Sequence, residues 1–149
     1  MTTDIDWDHP SDPREGTWQL DHVKLYVGSG GAEGHHWNGT QTLLLTTLGR
    51  VSGKPVRTPL IYGEDGGRYL VVASKGGDDA HPLWYRNLTE HPEVRVQVGP
   101  KVVRGTSRTA TSQERAAFWP IMVGHWPAYE EYQAKTDREI PIVVIEPSA

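Results

Sequence analysis

The chain has 149 residues and a net charge of −4, which suits one acidic domain large enough to bury a core. The absence of cysteine excludes disulfides, thiolate nucleophiles and iron–sulfur clusters, so redox chemistry would need a bound cofactor. The acidic balance argues against a general nucleic-acid-binding protein. Because no apolar run approaches the length of a membrane-spanning helix, we expect a cytoplasmic protein without an integral membrane segment.

The first part of the chain predicts an arm followed by one helix. Residues 1–15 are rich in Asp and Pro, which indicates a flexible N-terminal arm before a single domain over residues 16–149. Apolar residues then recur at helical spacing from Trp18 to Val27, and a run of glycines follows them. We therefore predict a short amphipathic helix there, and a loop from Gly34 to Gly39.

A β pattern begins at Thr42. About six short segments combine apolar or alternating residues with flanking turn residues, as strands do. They are Leu43–Thr47, Thr58–Tyr62, Tyr69–Ala73, Val94–Val98, Val102–Thr109 and Ile140–Ile145. The Asp65-Gly66 pair predicts that the second and third segments are adjacent antiparallel strands of one hairpin.

Helices are predicted between these strands. A short one starts near Pro82, includes Leu83, Trp84 and Leu88, and ends before Pro92. Thr111 and Glu114 have the spacing of a capping box that opens another. Pro120 and Pro127 are expected to kink or divide that helix, so that a separate helix begins after Pro127. The fold class predicted is α+β, mainly β, with about six antiparallel strands in a barrel and peripheral helices.

Residues 49–57 form the densest basic segment and contain no acid. Ser52 and Gly53 let the backbone approach a ligand, and the cations nearby would neutralise phosphate or carboxylate charge. These cations are Arg50, Lys54 and Arg57. The alternative is a hairpin turn whose charges face water.

Two further segments carry candidate ligand contacts. After the predicted strand that ends at Ala73, Ser74 and Lys75 are placed to hydrogen-bond ring carbonyls, and two glycines, Gly76 and Gly77, allow a turn to lie against a flat ring. Trp84 would form a wall for a planar ligand or fill the core.

Tyr129 and Tyr132, three apart on one predicted helix face, would clamp an aromatic substrate and donate to its oxygen, or would pack the helix onto the barrel. The seven histidines show no metal-ligand spacing, so no metal site is predicted.

In this order the segments resemble a known family. The motifs are Leu44–Arg50, Ser52–Pro55, Thr58–Tyr62, Val72–Gly77, Trp84–Leu88 and Thr136–Pro141. Together they are similar to the deazaflavin-dependent nitroreductases of actinobacteria, which reduce quinones and nitro compounds with coenzyme F420, an 8-hydroxy-5-deazaflavin, on an FMN-binding-like split β-barrel. The resemblance covers about two-thirds of the chain, from Leu43 to Pro147.

The resemblance implies a role for each segment. The basic loop would bind the phosphate and oligoglutamate tail of the coenzyme, and the residues implied are Arg50, Ser52, Gly53, Lys54 and Arg57. The ring and ribityl chain would lie against Pro59, Ile61, Ala73, Ser74, Lys75, Gly76, Gly77 and Trp84. The acceptor would contact Trp126, Tyr129 and Tyr132, and Ser74, Tyr129 and Tyr132 are the candidate catalytic residues. Val51 and Trp126 depart from the best-known nitroreductase of the family, which has Lys and Tyr at these positions.

The resemblance implies a reductase that passes a hydride from reduced F420 to a small-molecule acceptor such as a quinone, nitroaromatic or enone. Two alternatives remain at this level: an oxidoreductase of the same fold that uses FMN, and a non-catalytic carrier of F420 or a lipophile. We expect a monomer or dimer with no nucleic-acid partner, and with peripheral membrane contact as an option.

Overall fold

The computed structural model describes residues 5–148, so that Met1 to Asp4 of the predicted arm lie outside it. Within these residues the strands are β1 (His36–Trp37), β2 (Thr40–Leu48), β3 (Pro55–Ile61), β4 (Gly63–Asp65), β5 (Arg68–Val72), β6 (Glu93–Val98), β7 (Lys101–Thr109) and β8 (Ile142–Pro147). The α-helices are α1 (Trp18–Ser29), α2 (Leu83–Glu90), α3 (Ser112–His125) and α4 (Ala128–Ala134), and a 3₁₀ turn covers Lys75–Gly77. No α-helix of the described part is long and apolar enough to span a bilayer.

The sheet is antiparallel and runs in the order β3–β2–β6–β7–β8–β5–β4, with β1 folded back onto the start of β2. Leu43, Val71 and Val143 are fully buried in one apolar cluster, and Leu70, Ile142 and Val144 are fully buried in another. Alternate residues of β5 and β8 thus enter different cores, as the pleat of a strand buried on both faces requires. This architecture confirms the predicted split β-barrel.

The predicted pairing of the second and third strands is wrong. β3 pairs with β2 along its whole length, from Leu48 opposite Pro55 to Thr42 opposite Ile61. The partner of β5 in the hairpin is instead β4, which the sequence analysis missed. Gly66 and Gly67, with φ of 56° and 83°, form the two-residue turn between them, because such turns need positive φ at both positions. β3 and β5 therefore lie near each other without hydrogen bonds, and the barrel is split at this point.

The N-terminal arm covers part of the outer edge of β3. The amide of Ser11 donates to the Pro55 carbonyl, and the amide of Arg57 donates outwards to the Ser11 carbonyl. Because amides two residues apart in a strand point to the same side, Pro59 removes the next outward donor. The edge of β3 beyond the arm is therefore poorly suited to accept another strand.

Other elements differ from prediction in two places. Residues His36 and Trp37, expected in a loop, form β1, because Asn38 and Gly39 adopt the positive φ that a tight hairpin requires. Pro120 does not divide its helix, since α3 continues through it. Phe118 and Met122 are buried on either side, so tertiary packing offsets the backbone hydrogen bond that proline removes. The separate helix after Pro127 is confirmed as α4.

Helix α1 is held to the sheet by Tyr26, which is fully buried. Its hydroxyl donates to the Thr42 carbonyl at 3.0 Å and accepts from the Gly99 amide at 2.7 Å. Burial raises the pKa of this phenol, so the hydroxyl remains a donor at neutral pH. The anchor holds the C-terminal half of α1 against β2 and the turn between β6 and β7.

The turn after β5 packs closely on α4. A Cβ built on Gly77 would come within 2.6 Å of the Tyr132 carbonyl oxygen, whereas a Cβ on Gly76 would meet nothing within 4 Å. Both glycines have positive φ. We predict that Gly76→Ala costs roughly 1 to 2 kcal/mol of unfolding free energy from backbone strain, and that Gly77→Ala costs roughly 1 to 3 kcal/mol more because α4 must shift. Chemical denaturation of both variants measures the difference, and equal losses would contradict the close packing.

The start of α3 predicts a pH-dependent contribution to stability. Hydrogen bonds from Arg108 and from the Thr111 amide lower the pKa of Glu114 from 4.5 to about 2. A depressed carboxylate pKa stabilises the fold above pH 4.5, and this contribution is lost as the pH falls through about 2. Glu114→Gln should therefore lower the free energy of unfolding at pH 7, with the deficit shrinking below pH 4.5 in urea titrations. If the difference in unfolding free energy did not change with pH, the charge of Glu114 would not contribute to stability.

Candidate active site

A cleft of about 540 Å³ opens between the edges of β3 and β5, where the barrel is split. Two strand edges, the turn after β5, the first two turns of α1 and the α3–α4 corner line it. The lining residues are Trp18, Gln19, His22, Trp37, Thr42, Thr58, Pro59, Leu60, Ile61, Val72, Ser74, Lys75, Gly76, Pro82, Trp84, Trp126, Tyr129 and Tyr132. This size and mixed lining are typical of a site for a small organic ligand.

The Ser74–Gly77 turn gives the cleft its backbone donors. Lys75 and Gly76 have φ of 46° and 64°, and a non-glycine residue in this region costs roughly 1 to 2 kcal/mol. The amide of Gly77 donates to the Ser74 carbonyl, but the amides of Ser74, Lys75 and Gly76 have no acceptor among residues 5–148. Successive amides in such a conformation form a concave donor site for an anionic or carbonyl oxygen.

Three tryptophans from distant parts of the chain form an aromatic row along the cleft. The rings of Trp18 and Trp37 stack with centroids 5.3 Å apart, and Trp37 lies 5.5 Å from Trp126. Trp18 is 54% exposed, so an apolar ring lies open at the cleft. Since flat rings pack well on such surfaces, the row offers a wall for an aromatic or quinonoid molecule.

The two candidate tyrosines lie beside this row with their rings 6.1 Å apart. Tyr129 is buried, and both burial and the neighbouring Tyr132 raise the pKa of its phenol. The Tyr132 hydroxyl accepts a long hydrogen bond of 3.4 Å from the indole nitrogen of Trp126. Both phenols therefore line the cleft, with Tyr129 protonated at neutral pH and able to donate.

His22 is a buried polar residue of the cleft that the sequence analysis missed. Its Nε2 lies 2.8 Å from the Gly34 carbonyl oxygen and 3.1 Å from the Thr42 hydroxyl. The Thr42 hydroxyl also donates to the Gly34 carbonyl oxygen. His22 of α1 and Thr42 of β2 are thus both bonded to the loop that contains Gly34. Through these contacts His22 helps to hold the first turn of α1 in place, and that turn includes Trp18.

The basic loop lies outside the cleft, between β2 and β3. The Asn87 side chain accepts from the Arg50 amide at 3.1 Å, and the Gly49 and Lys54 backbones pair, so the loop has a defined shape. Arg57 does not point to open solvent, because its guanidinium makes a two-bond ion pair with Asp12 of the arm at 2.7 and 2.9 Å. Fork-shaped pairing of this kind is the geometry in which arginine binds carboxylates most strongly.

The basic loop and the arm enclose a second groove of about 610 Å³. The residues that line it are Ile5, Asp6, His9, Ser11, Ser52, Gly53, Lys54 and Pro55. The groove runs from the end of the basic loop to the acidic arm. A ligand bound in it would therefore contact both basic and acidic side chains.

The predicted site residues divide into two sets. The cleft brings together Pro59, Ile61, Ser74, Lys75, Gly76, Trp84, Trp126, Tyr129 and Tyr132. The residues that do not line the cleft are Arg50, Ser52, Gly53, Lys54 and Arg57, together with Ala73, which is fully buried, and Gly77, which packs on α4. Trp18, His22 and Trp37 were missed, although the four-residue spacing of Trp18 and His22 marks one face of α1. No group of three His, Asp or Glu side chains in residues 5–148 is arranged to hold a metal ion.

Comparison with known proteins agrees with this geometry. Residues 18–147 match the family model of the F420H2-dependent quinone reductases. An F420H2-dependent quinone reductase of Mycobacterium tuberculosis is 40% identical over 128 residues, covering 83% of this chain and 86% of the relative. A solved domain-swapped dimer is 41% identical with a TM-score of 0.69 over 85% of this chain and 95% of its own. A solved F420H2-dependent reductase is 46% identical with a TM-score of 0.66, over 70% of this chain and 93% of its own.

These likenesses confirm the resemblance inferred from the motifs. The family match extends from the first residue of α1 to the last of β8, and so includes every element that lines the cleft. The chain therefore belongs to the F420H2-dependent quinone reductase family.

Proposed function

We propose that the cleft binds the ring of reduced F420 against the Ser74–Gly77 turn and presents it to a flat acceptor that rests on the aromatic row. The observation that carries this proposal is the pairing, in one cleft, of unpartnered backbone amides with stacked tryptophans. Amides suit the carbonyl oxygens of a deazaflavin, and indoles suit its planar acceptor. When bound, the coenzyme supplies a hydride, and membership of the family supports F420 over FMN as its source.

The direct test is turnover. Purified protein is mixed with reduced F420 and a quinone, a nitroaromatic or an enone, and coenzyme oxidation is followed by absorbance. We expect oxidation that depends on both protein and acceptor, with quinones among the acceptors. Tight coenzyme binding without acceptor-dependent oxidation would instead indicate a carrier, and equal use of reduced FMN would contradict the assignment of the coenzyme.

The chain's own residues have three tasks in this reaction. The turn orients the ring, the aromatic row positions the acceptor and excludes water, and a phenol donates a proton to the reduced acceptor. Tyr129 is the donor candidate on geometric grounds, because its ring is buried within the cleft wall. Ser74 also lines the cleft and belongs to the proposed coenzyme contact.

Phenylalanine substitutions test the proton donor while keeping the ring packing. Tyr129→Phe should lower turnover with a quinone by about a hundredfold or more and leave coenzyme affinity nearly unchanged, since a positioned acid typically contributes that much. Tyr132→Phe should have a smaller effect. The control is Tyr85→Phe, whose hydroxyl pairs with Thr109 outside the cleft. Normal turnover in both cleft variants would mean that solvent supplies the proton.

For the anionic tail we propose the basic loop, with Arg50 and Lys54 as the contacts. Arg57 is engaged by Asp12, so it contributes fully only when the arm releases it. Val51, which is 89% exposed, adds no charge at this surface. The loop therefore offers fewer available cations than its sequence suggests.

Substitutions at both partners separate these roles. Arg50→Ala should weaken binding of complete F420 by roughly two- to fivefold, as expected for an exposed ion pair, and Asp12→Asn should tighten it by a similar factor by freeing Arg57. Fluorescence titration at low and high salt measures both effects, which should fade as salt screens the charges. The ring–ribityl fragment without phosphate or tail is the control and should bind all variants equally. If Arg50→Ala also weakened binding of this fragment, the loop would contact the ring and not the tail.

Location and assembly complete the proposal. We propose a cytoplasmic protein, monomeric or dimeric, that reaches lipophilic quinones through peripheral membrane contact. The exposed Trp18 and Leu25, seven residues apart on α1, lie on one face of the helix and give that contact an apolar surface.

A further inference from the structure

The segment Thr136–Pro141 belongs to the family motifs, yet it contributes no side chain to the cleft. Its Arg138 lies behind the Ser74–Gly77 turn and donates to backbone carbonyls on both sides of it. The donors reach the Ser74 oxygen at 2.8 Å, the Ala73 oxygen at 3.2 Å and the Asp78 oxygen at 2.7 Å. One guanidinium thus connects the residues before and after the turn.

These bonds dictate where the amides of the turn point. All peptide bonds of the described chain are trans, so each carbonyl and the following N–H point in opposite directions. Because the Ala73 and Ser74 carbonyls face Arg138, the amides of Ser74 and Lys75 face away from it. Ser74 and Lys75 line the cleft and Arg138 does not, so the unpartnered amides are directed to the cleft side.

The turn needs such support because Lys75 is in the left-handed region with φ of 46°. A non-glycine residue persists there only where its surroundings determine the conformation. The backbone bonds within the turn join Gly77 to Ser74 and Asp78 to Lys75, and these bonds alone do not set the orientation of the turn relative to the cleft. Arg138 ties the turn to the Thr136–Pro141 segment, since its planar guanidinium directs fixed donors at three separate carbonyls.

Arg138 is itself held in place. Gln133 donates to its carbonyl at 2.8 Å, and the Thr136 hydroxyl donates to Asp79 at 2.7 Å, which joins the segment to the far side of the turn. The guanidinium also lies 3.2 Å from Nδ1 of His81. Burial and the nearby Arg138 lower the pKa of His81, so this nitrogen accepts rather than repels at neutral pH.

We propose that Arg138 is a positioning residue for the deazaflavin ring: it orients the Ser74 and Lys75 amides so that they donate into the cleft. This proposal rests on the proposed binding of the ring at that turn. Arg138 acts through backbone groups and contacts neither coenzyme nor acceptor.

The test uses the ring–ribityl fragment, which carries no phosphate and therefore does not report on charge. Arg138→Lys keeps the charge but not the fork of donors, and it should weaken fragment binding tenfold or more in a fluorescence titration. Arg138→Ala should weaken fragment binding by at least as much, and adding millimolar guanidinium should restore part of the lost affinity. Arg68→Lys, at the other end of β5 where Arg68 pairs with Asp65, is the control for general destabilisation and should bind the fragment as wild type does.

A second measurement does not depend on the ligand. In unliganded protein, Arg138→Lys should shift the NMR resonances of the Ser74–Gly77 amides and speed their hydrogen exchange, while Arg68→Lys should leave them unchanged. Fragment affinity within twofold of wild type in Arg138→Lys, or unchanged turn amides, would overturn the proposal. Failure of the wild-type protein to bind the fragment would instead reject the proposed coenzyme site, and the amide measurement would still decide what Arg138 does.

Discussion

The outer edge of β3 is the constraint on which the site depends. The arm occupies the start of this edge through Ser11, and Pro59 withholds a donor further along it, while β5 pairs with β4 and β8. The sheet consequently stays open between β3 and β5. Elements with apolar faces, α1 and the α3–α4 corner, flank this opening, and the space between them is the cleft.

The apolar and the basic contact surfaces for a ligand lie largely in different places in this structure. The cleft offers stacked indoles, backbone amides and one lysine, Lys75, whereas the cluster of Arg50, Lys54 and Arg57 lies outside it. A coenzyme with a flat ring and an anionic tail, placed as proposed above, would match this division, because the ring would meet the indoles and amides and the tail would meet the cations. The ion pair between Asp12 and Arg57 adds a feature of this chain, since an acidic arm engages the same guanidinium that an anionic tail would use.

Backbone strain is concentrated at the turn after β5. Lys75 with positive φ and Gly77 packed against the Tyr132 backbone leave the turn little freedom, and Arg138 connects its two ends from behind. The Gly77 contact also ties the turn to α4, which carries both candidate tyrosines. The side of the cleft proposed for the coenzyme is therefore packed directly against the helix that carries both candidate tyrosines.

The sequence by itself determined the longer strands, the helices, the family and half of the cleft residues, because these follow from local periodicity, turn chemistry and ordered motifs. It did not determine which strands pair: the Asp65-Gly66 signal was real, but it joined β5 to the short β4 and not to β3. Tertiary structure alone decided that Trp18, Trp37 and Trp126 form one row, that Asp12 reaches Arg57 and that Arg138 supports a turn some sixty residues earlier. Each of these contacts joins residues far apart in sequence, and their proximity is set by how the sheet closes, which no local pattern encodes.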